Sequence, residues 1–157
     1  MNIDNLCMNC MSDLNGEVQC PNCGYIADSP QFSPDLPLKT VVGEKYIIGC
    51  VISSDNEGSL YMSYDSEREI PVLVREFFPV NFCERQEDGI QVTVSKDFEE
   101  SYYTYLGQFK ELWTNLAMIR GFSAHIPVLD VVEENNTVYA VSEYVESITL
   151  RDFLLRS

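Results

Sequence analysis

Four of the six cysteines in this 157-residue chain fall into two Cys-x-x-Cys pairs, Cys7-Met8-Asn9-Cys10 and Cys20-Pro21-Asn22-Cys23. A Cys-x-x-Cys turn presents two thiolates to one ion, and two such turns complete the tetrahedron that Zn2+ accepts. Asn15-Gly16 between the pairs is a hairpin-turn dipeptide that would bring the two turns together, and Gly24 suits the tight turn after the last ligand. Two disulfides, four free thiols or an iron centre are the alternatives. A unit this small has almost no core of its own, so a metal's contribution to folding favours Zn2+ held by Cys7, Cys10, Cys20 and Cys23. With no open coordination position, the site is expected to be structural. It is the one self-similar feature of the chain.

The other chemistry-bearing residues are sparser. Cys50 and Cys83 stand alone in apolar-rich segments and read as reduced core residues, with only Arg85 near enough in sequence to lower a thiol pKa. His125 is the single histidine and reads as a loop or core residue. Tyr102, Tyr103 and Tyr105 read as helix packing, with a docking surface as the alternative.

Composition narrows the function classes. Residues are 45% hydrophobic and 22% charged, the balance of a globular protein, and the formal net charge is −15. Such a surface repels phosphate backbones and anionic lipid, and residues 1–28 carry no lysine or arginine, so nucleic-acid binding is excluded and membrane contact is not expected. Residues 1–5 carry no basic residue and no apolar core, so a signal peptide is not expected there, and runs such as 70–74 are too short to span a bilayer. A cytoplasmic setting is expected.

The elements that must position these residues follow a proline-dense stretch containing Pro30, Pro34 and Pro37. Prolines so close together exclude helix interior and central strand. The division expected is a four-cysteine zinc ribbon over 1–28, a linker over 29–40 and a second domain over 41–157. In that domain β-branched and aromatic runs at 46–52, 59–64 and 70–77 predict three strands, and 126–133 and 137–143 two more. Between them Tyr102, Tyr105, Leu106, Phe109, Leu112, Trp113, Leu116 and Ile119 recur at spacings of three and four, predicting a helix over 97–120. Thr149 and Asp152 have the capping-box arrangement and predict a helix start. The fold class is α+β, an antiparallel five-stranded sheet covered by one long helix.

From about residue 36 to 154 the chain resembles the N-terminal lobe of bacterial Ser/Thr protein kinases of the eukaryotic type. The residues that carry the likeness are Leu36-Pro37, Tyr46, Gly58, Tyr61 and Asp65, the run Val72-Leu73-Val74-Arg75-Glu76-Phe77-Phe78-Pro79, the helix over 109–117, and the segments 128–133 and 139–146. The resemblance implies that Glu143, Tyr144 and Val145 form the hinge that normally contacts adenine, that Ser142 is the gatekeeper, and that the catalytic-loop and Asp-Phe-Gly segments would fall beyond Ser157. It also implies a nucleotide site at Gly58, Arg75, Glu143 and Val145, and that site is altered. Ser53 and Asp55 stand at the first two glycine positions of the phosphate loop and only Gly58 is kept. Glycines let backbone amides approach the anion, and Asp55 and Glu57 add negative charge beside it. Arg75 replaces the invariant lysine, and its planar fork does not reproduce an ammonium's point contact. Leu112 aligns with the helix glutamate that pairs with that lysine, with Glu111 adjacent.

The expectation is therefore a pseudokinase lobe: a non-catalytic signalling or regulatory module acting through a protein partner, with ATP affinity at most millimolar, roughly −4 kcal/mol. Its uncovered hinge side would offer a surface for self-association. The alternative is the N-terminal fragment of an active ATP-dependent Ser/Thr kinase whose C-lobe is missing from this chain.

Overall fold

β-Branched and aromatic residues dominate from residue 41 to 77 and form four consecutive antiparallel strands: β1 (Val41–Val42), β2 (Tyr46–Asp55), β3 (Gly58–Asp65) and β4 (Ile70–Phe77). The computed structural model describes residues 3–26, 31, 34–118 and 128–144. Carboxylates close two of the turns. Asp55 Oδ1 accepts the amides of Glu57 and Gly58 at 2.9 and 3.1 Å, and Asp65 Oδ1 those of Glu67 and Arg68 at 2.9 and 3.0 Å. These side chains stand in for a backbone turn acceptor, which is why aspartate suits both positions.

A short hairpin, β5 (Cys83–Arg85) and β6 (Val92–Val94), then leads through a 3-10 turn at Lys96–Phe98 into α1 (Glu99–Met118). The last two strands are β7 (Val128–Glu134) and β8 (Thr137–Glu143). They are joined through Asn135 and Asn136, whose left-handed φ of 58° and 63° match the twist of a two-residue hairpin.

The main sheet runs β1-β2-β3-β4-β8-β7 and is antiparallel throughout. It is barrel-like: the Tyr46 hydroxyl donates to Asp130 and the Gly43 amide to Glu134, both at 2.8 Å, drawing the β1–β2 edge toward β7. Inside lie Leu36, Tyr46, Ile48, Tyr61, Val72, Val74, Tyr139 and Val141. Leu36 comes from the proline-rich stretch and donates its amide to the Tyr61 hydroxyl at 2.9 Å. Glu76 on the same strand face as Val72 and Val74 forms an ion pair with Arg85, whose Nη1 donates to Glu76 Oε2 at 2.8 Å. Both side chains are almost fully buried, and burial pushes the Glu76 carboxyl up while Arg85 opposes it. Removing either partner would strand a buried charge, at a cost of about 3–5 kcal/mol.

The outer face of the sheet is divided between two covers, so every residue of β3 is buried. The cysteine-bearing N-terminal module lies over β2, β3 and β4, packing Leu6, Met8 and Met11 against Ile47, Leu60, Met62, Tyr64 and Leu73. Helix α1 lies beyond it, packing Tyr102 and Phe109 against Phe77, Val138 and Ala140. Its N-terminal half is tied to the β7–β8 turn. The Tyr102 hydroxyl donates to Asn136 O at 2.7 Å, the Tyr103 hydroxyl to Asn136 Oδ1 at 3.2 Å, and Asn136 Nδ2 to Val92 O at 3.1 Å.

Three expectations need correction. The sheet has six strands rather than five, because Val41 and Val42 add an edge to β2, and the β5–β6 hairpin forms a second sheet. Strands of two or three residues are too short to show a period-two pattern. Second, α1 begins at Glu99 after the 3-10 turn, not at 97. Third, Leu112 is 53% exposed. The packed stripe follows Tyr102, Leu106, Phe109 and Trp113, and Leu112 lies about 80° from it at roughly 100° per residue. The expected helix end at 120, the strand start at Ile126, His125, Val145 and the segment 149–152 lie outside the described residues.

Candidate metal centre and the sheet face beneath it

The two Cys-x-x-Cys turns adopt the same hydrogen-bonded form. Met11 donates its amide to Cys7 O at 2.7 Å and Gly24 to Cys20 O at 2.9 Å; Cys7 donates to Ser12 O at 2.9 Å and Cys20 to Tyr25 O at 2.8 Å. One isolated bridge flanks each, Leu6 with Asp13 and Gln19 with Ile26. The residue after each second cysteine takes a left-handed φ, 63° at Met11 and 82° at Gly24. This backbone is natural for glycine and costs a residue with a Cβ roughly 1–2 kcal/mol.

Facing one another, the turns bring Cys7, Cys10, Cys20 and Cys23 together with all four sulfurs within 4.8 Å. The Cys7–Cys23 and Cys10–Cys20 sulfurs are 3.6 and 3.7 Å apart. Those separations are too long for a disulfide and close to the edge of a tetrahedron with metal–sulfur bonds of ~2.3 Å, about 3.8 Å. Asn9 Nδ2 points to Cys23 Sγ and Asn22 Nδ2 to Cys10 Sγ, each at 3.5 Å, so each turn supplies a donor to the other's thiolate. Donors of this kind orient sulfur ligands and offset their charge. Burial pushes the Cys7 thiol up; at Cys10 burial is outweighed by hydrogen bonds from Ser12 and Asn22, which bring the thiol down to about 6. Four convergent sulfurs with paired amide donors fit a closed tetrahedral ion.

The centre's two halves have different surroundings. Met8 and Met11 of the first turn are buried on the sheet, whereas Pro21 and Gly24 of the second are exposed. The first turn reaches into an irregularity of β2, where the register with β3 shifts between Ile48 and Val51. There the Cys50 amide donates to Met8 O at 2.9 Å. Gly49 is required at that spot: a Cβ on it would lie 2.3 Å from Met8 O and 2.5 Å from the Met11 side-chain methyl.

The covered face is the one that the kinase likeness makes interesting. Leu73 lies under the module, pairs across the strands with Ser142, and stands two residues before Arg75. Tyr144 packs against the same group of residues. Among the described residues, an acidic and an aromatic side chain lie beside Arg75. Its Nη1 lies 3.9 Å from Asp55 Oδ2, and its guanidinium lies 5.9 Å from the centre of the Trp113 ring. Thus the helix residue facing Arg75 is Trp113, an aromatic face that attracts a cation through its quadrupole, and neither Leu112 nor Glu111. Glu111 is exposed. Gly58 is placed at the start of β3 with φ 148°, where a Cβ would meet Glu76 O at 1.9 Å. Its lack of a side chain is therefore demanded by strand packing. Glu143 is exposed at the end of β8.

No protein-family model matches this sequence, and no curated protein matches it significantly. Among solved structures the chain is similar to PpkA-294 in its apo form, a bacterial Ser/Thr kinase fragment, with TM-score 0.70 and 22% identity over 80% of this chain. The fold is kinase-like. The match spans 44% of the PpkA-294 chain, less than half its length.

Of the residues singled out from sequence, the four cysteines converge, and Arg75 and Ser142 share a strand face with Leu73. Gly58 and Glu143 serve strand ends. Cys83 is buried, and that burial pushes its thiol up to about 12 despite Arg85. Burial also raises Cys50. Met8, Met11 and Gly49 carry functions that motif reading passes over. Two signals mark them: a methionine where the second turn has glycine, and an isolated glycine inside a strand, which often marks close backbone approach. Among the described residues no helix is long and apolar enough to cross a membrane.

Proposed function

We propose that this chain is a non-catalytic protein-interaction module of kinase-like fold, carrying one structural Zn2+ on Cys7, Cys10, Cys20 and Cys23. The observation that carries the non-catalytic reading is the β2–β3 turn. A phosphate loop works by aiming free amides at the anion. Here the amides of Glu57 and Gly58 are already bonded to the Asp55 carboxylate, and the same carboxylate lies beside Arg75. A triphosphate would have to displace an anion from both its amide and its cation partners. The reading includes a protein partner in a cytoplasmic setting, self-association as a second mode of contact, and no nucleic-acid ligand, in keeping with the net charge of −15.

Calorimetric titration with Mg-ATP tests it. Affinity no tighter than millimolar, about −4 kcal/mol, is expected. Micromolar binding lost in Arg75→Ala would instead favour the second reading, an N-terminal piece of an active Ser/Thr kinase, which the likeness to PpkA-294 supports at the level of fold. Elemental analysis should find about one zinc per chain.

A further inference from the structure

The cysteine module and the sheet are joined in an unusual way. One cysteine turn inserts its backbone into a strand irregularity, and the strand answers with a hydrogen bond that the sheet itself does not use. The Cys50 amide, at the shift in register between β2 and β3, donates to Met8 O at 2.9 Å. Gly49 beside it leaves room for Met8 O and for Met11. Met11 holds a left-handed backbone that glycine occupies at the equivalent place in the other turn, and its side chain is buried on the sheet. Met8 lies between Cys7 and Cys10, and Met11 follows directly on Cys10, so their positions are set by the geometry of the four-sulfur centre. What they cover is an apolar strip, Ile47, Leu60, Met62, Tyr64 and Leu73, on the strand face that also carries Arg75 and Ser142.

We propose that the metal is a lock on this docking: with four sulfurs held, the first turn caps the sheet face, and loss of the metal releases the cap and bares the strip. The physical basis is the smallness of the module. Its own interior is little more than Leu14 packed among the cysteines with Tyr25, so without the ion only a few turn hydrogen bonds and the contacts with the sheet hold the turn in the shape that fits Gly49. The barrel interior, built from Leu36, Tyr46, Tyr61, Val74 and Tyr139, does not include the module and remains when the cap leaves. The strip thereby becomes an apolar surface available only in the metal-free chain. This inference rests on the zinc reading above.

Amide hydrogen exchange of the full chain, followed by NMR, tests it, because the Cys50 amide reports docking directly. Zinc-loaded protein should show Cys50 protected. After removal of zinc with a chelator, Cys50 should lose its protection, while Leu73, held between β3 and β8, keeps its own. Met11→Asp, which alters the module and leaves the strand backbone untouched, should retain about one zinc per chain and still lose Cys50 protection. A chain that binds no metal overturns this inference together with the zinc reading. A chain that binds zinc yet keeps Cys50 protected after stripping overturns the lock alone. So does zinc removal that abolishes Leu73 protection along with that of Cys50, since the module would then be part of the only fold available, and so does a zinc-loaded Met11→Asp that keeps Cys50 protected.

Discussion

The two cysteine turns share a backbone and differ in what they touch. Cys7 to Met11 and Cys20 to Gly24 have matching turn hydrogen bonds, matching left-handed residues after the second cysteine and reciprocal asparagine donors. Yet the first is buried against the strands while the second faces solvent. Coordination dictates the shared part, because both pairs must bring two sulfurs to one point. Side chains at the remaining positions are free to differ, and methionine at 8 and 11 against proline at 21 and glycine at 24 turns one copy into a packing element. A repeated chelating unit can thus serve as ligand and as core, at the cost of a left-handed backbone at Met11.

Substituting a ligand should abolish the difference altogether. Cys7→Ser and Cys23→Ser should each bring zinc content to near zero, despite the burial of one residue and the exposure of the other, and the module should unfold, since structural zinc is worth about 10–16 kcal/mol in small fingers. Elemental analysis with thermal unfolding checks this; a Cys23→Ser chain that keeps its zinc would break the symmetry of the centre. Next in size is the packing contrast. Met8→Ala removes a side chain 2% exposed and should cost about 2–5 kcal/mol in urea unfolding at saturating zinc. Pro21→Ala, at the matching exposed place, should fall within about 0.5 kcal/mol of the parent.

The left-handed positions give a smaller and subtler test. Gly24→Ala meets only the Gln19 side chain, at 3.8 Å, so its cost is conformational, about 1–2 kcal/mol. Met11→Gly regains a similar amount of backbone strain and loses a buried side chain worth about 1.5–3 kcal/mol, leaving a net loss near 1 kcal/mol by the same denaturation measurement. The smallest effect is expected at Lys39→Ala. Its ion pair with Asp4, 3.2 Å long and open to water at both ends, ties the module to the chain that follows, and its loss should cost less than about 0.5 kcal/mol.

How much of this was legible in the residues follows from what each pattern depends on. Ligand spacing is local, so the four cysteines could be grouped from sequence, and the long strands and the helix announce themselves by period. The docking could not be read. It depends on a glycine some forty residues from the methionines it admits, and no periodicity links Gly49 to Met8. Leu112 was misplaced for a related reason. A stripe drawn from spacing alone has no edges, and only the sheet beneath decides that Trp113 faces Arg75 while Leu112 faces water. The two-residue strand β1 was missed because hydrogen bonds, and not hydrophobicity, create it.

The β7–β8 turn has a consequence for motion. Asn136 holds Tyr102 and Tyr103 near the N-terminal end of α1, whereas the helix's far half is held by Phe109 and Trp113 packing and by the water-exposed ion pair of Lys110 with Glu133, 2.7 Å long. Hydrogen bonds to a turn fix a position, whereas apolar contacts and an exposed ion pair worth less than about 1 kcal/mol yield more readily, so a movement of the helix would pivot at the Asn136 end. Such a rocking would be smallest at Tyr102 and largest toward Met118. On the way it would lift the Trp113 ring off Arg75, whose guanidinium would keep its contact with Asp55.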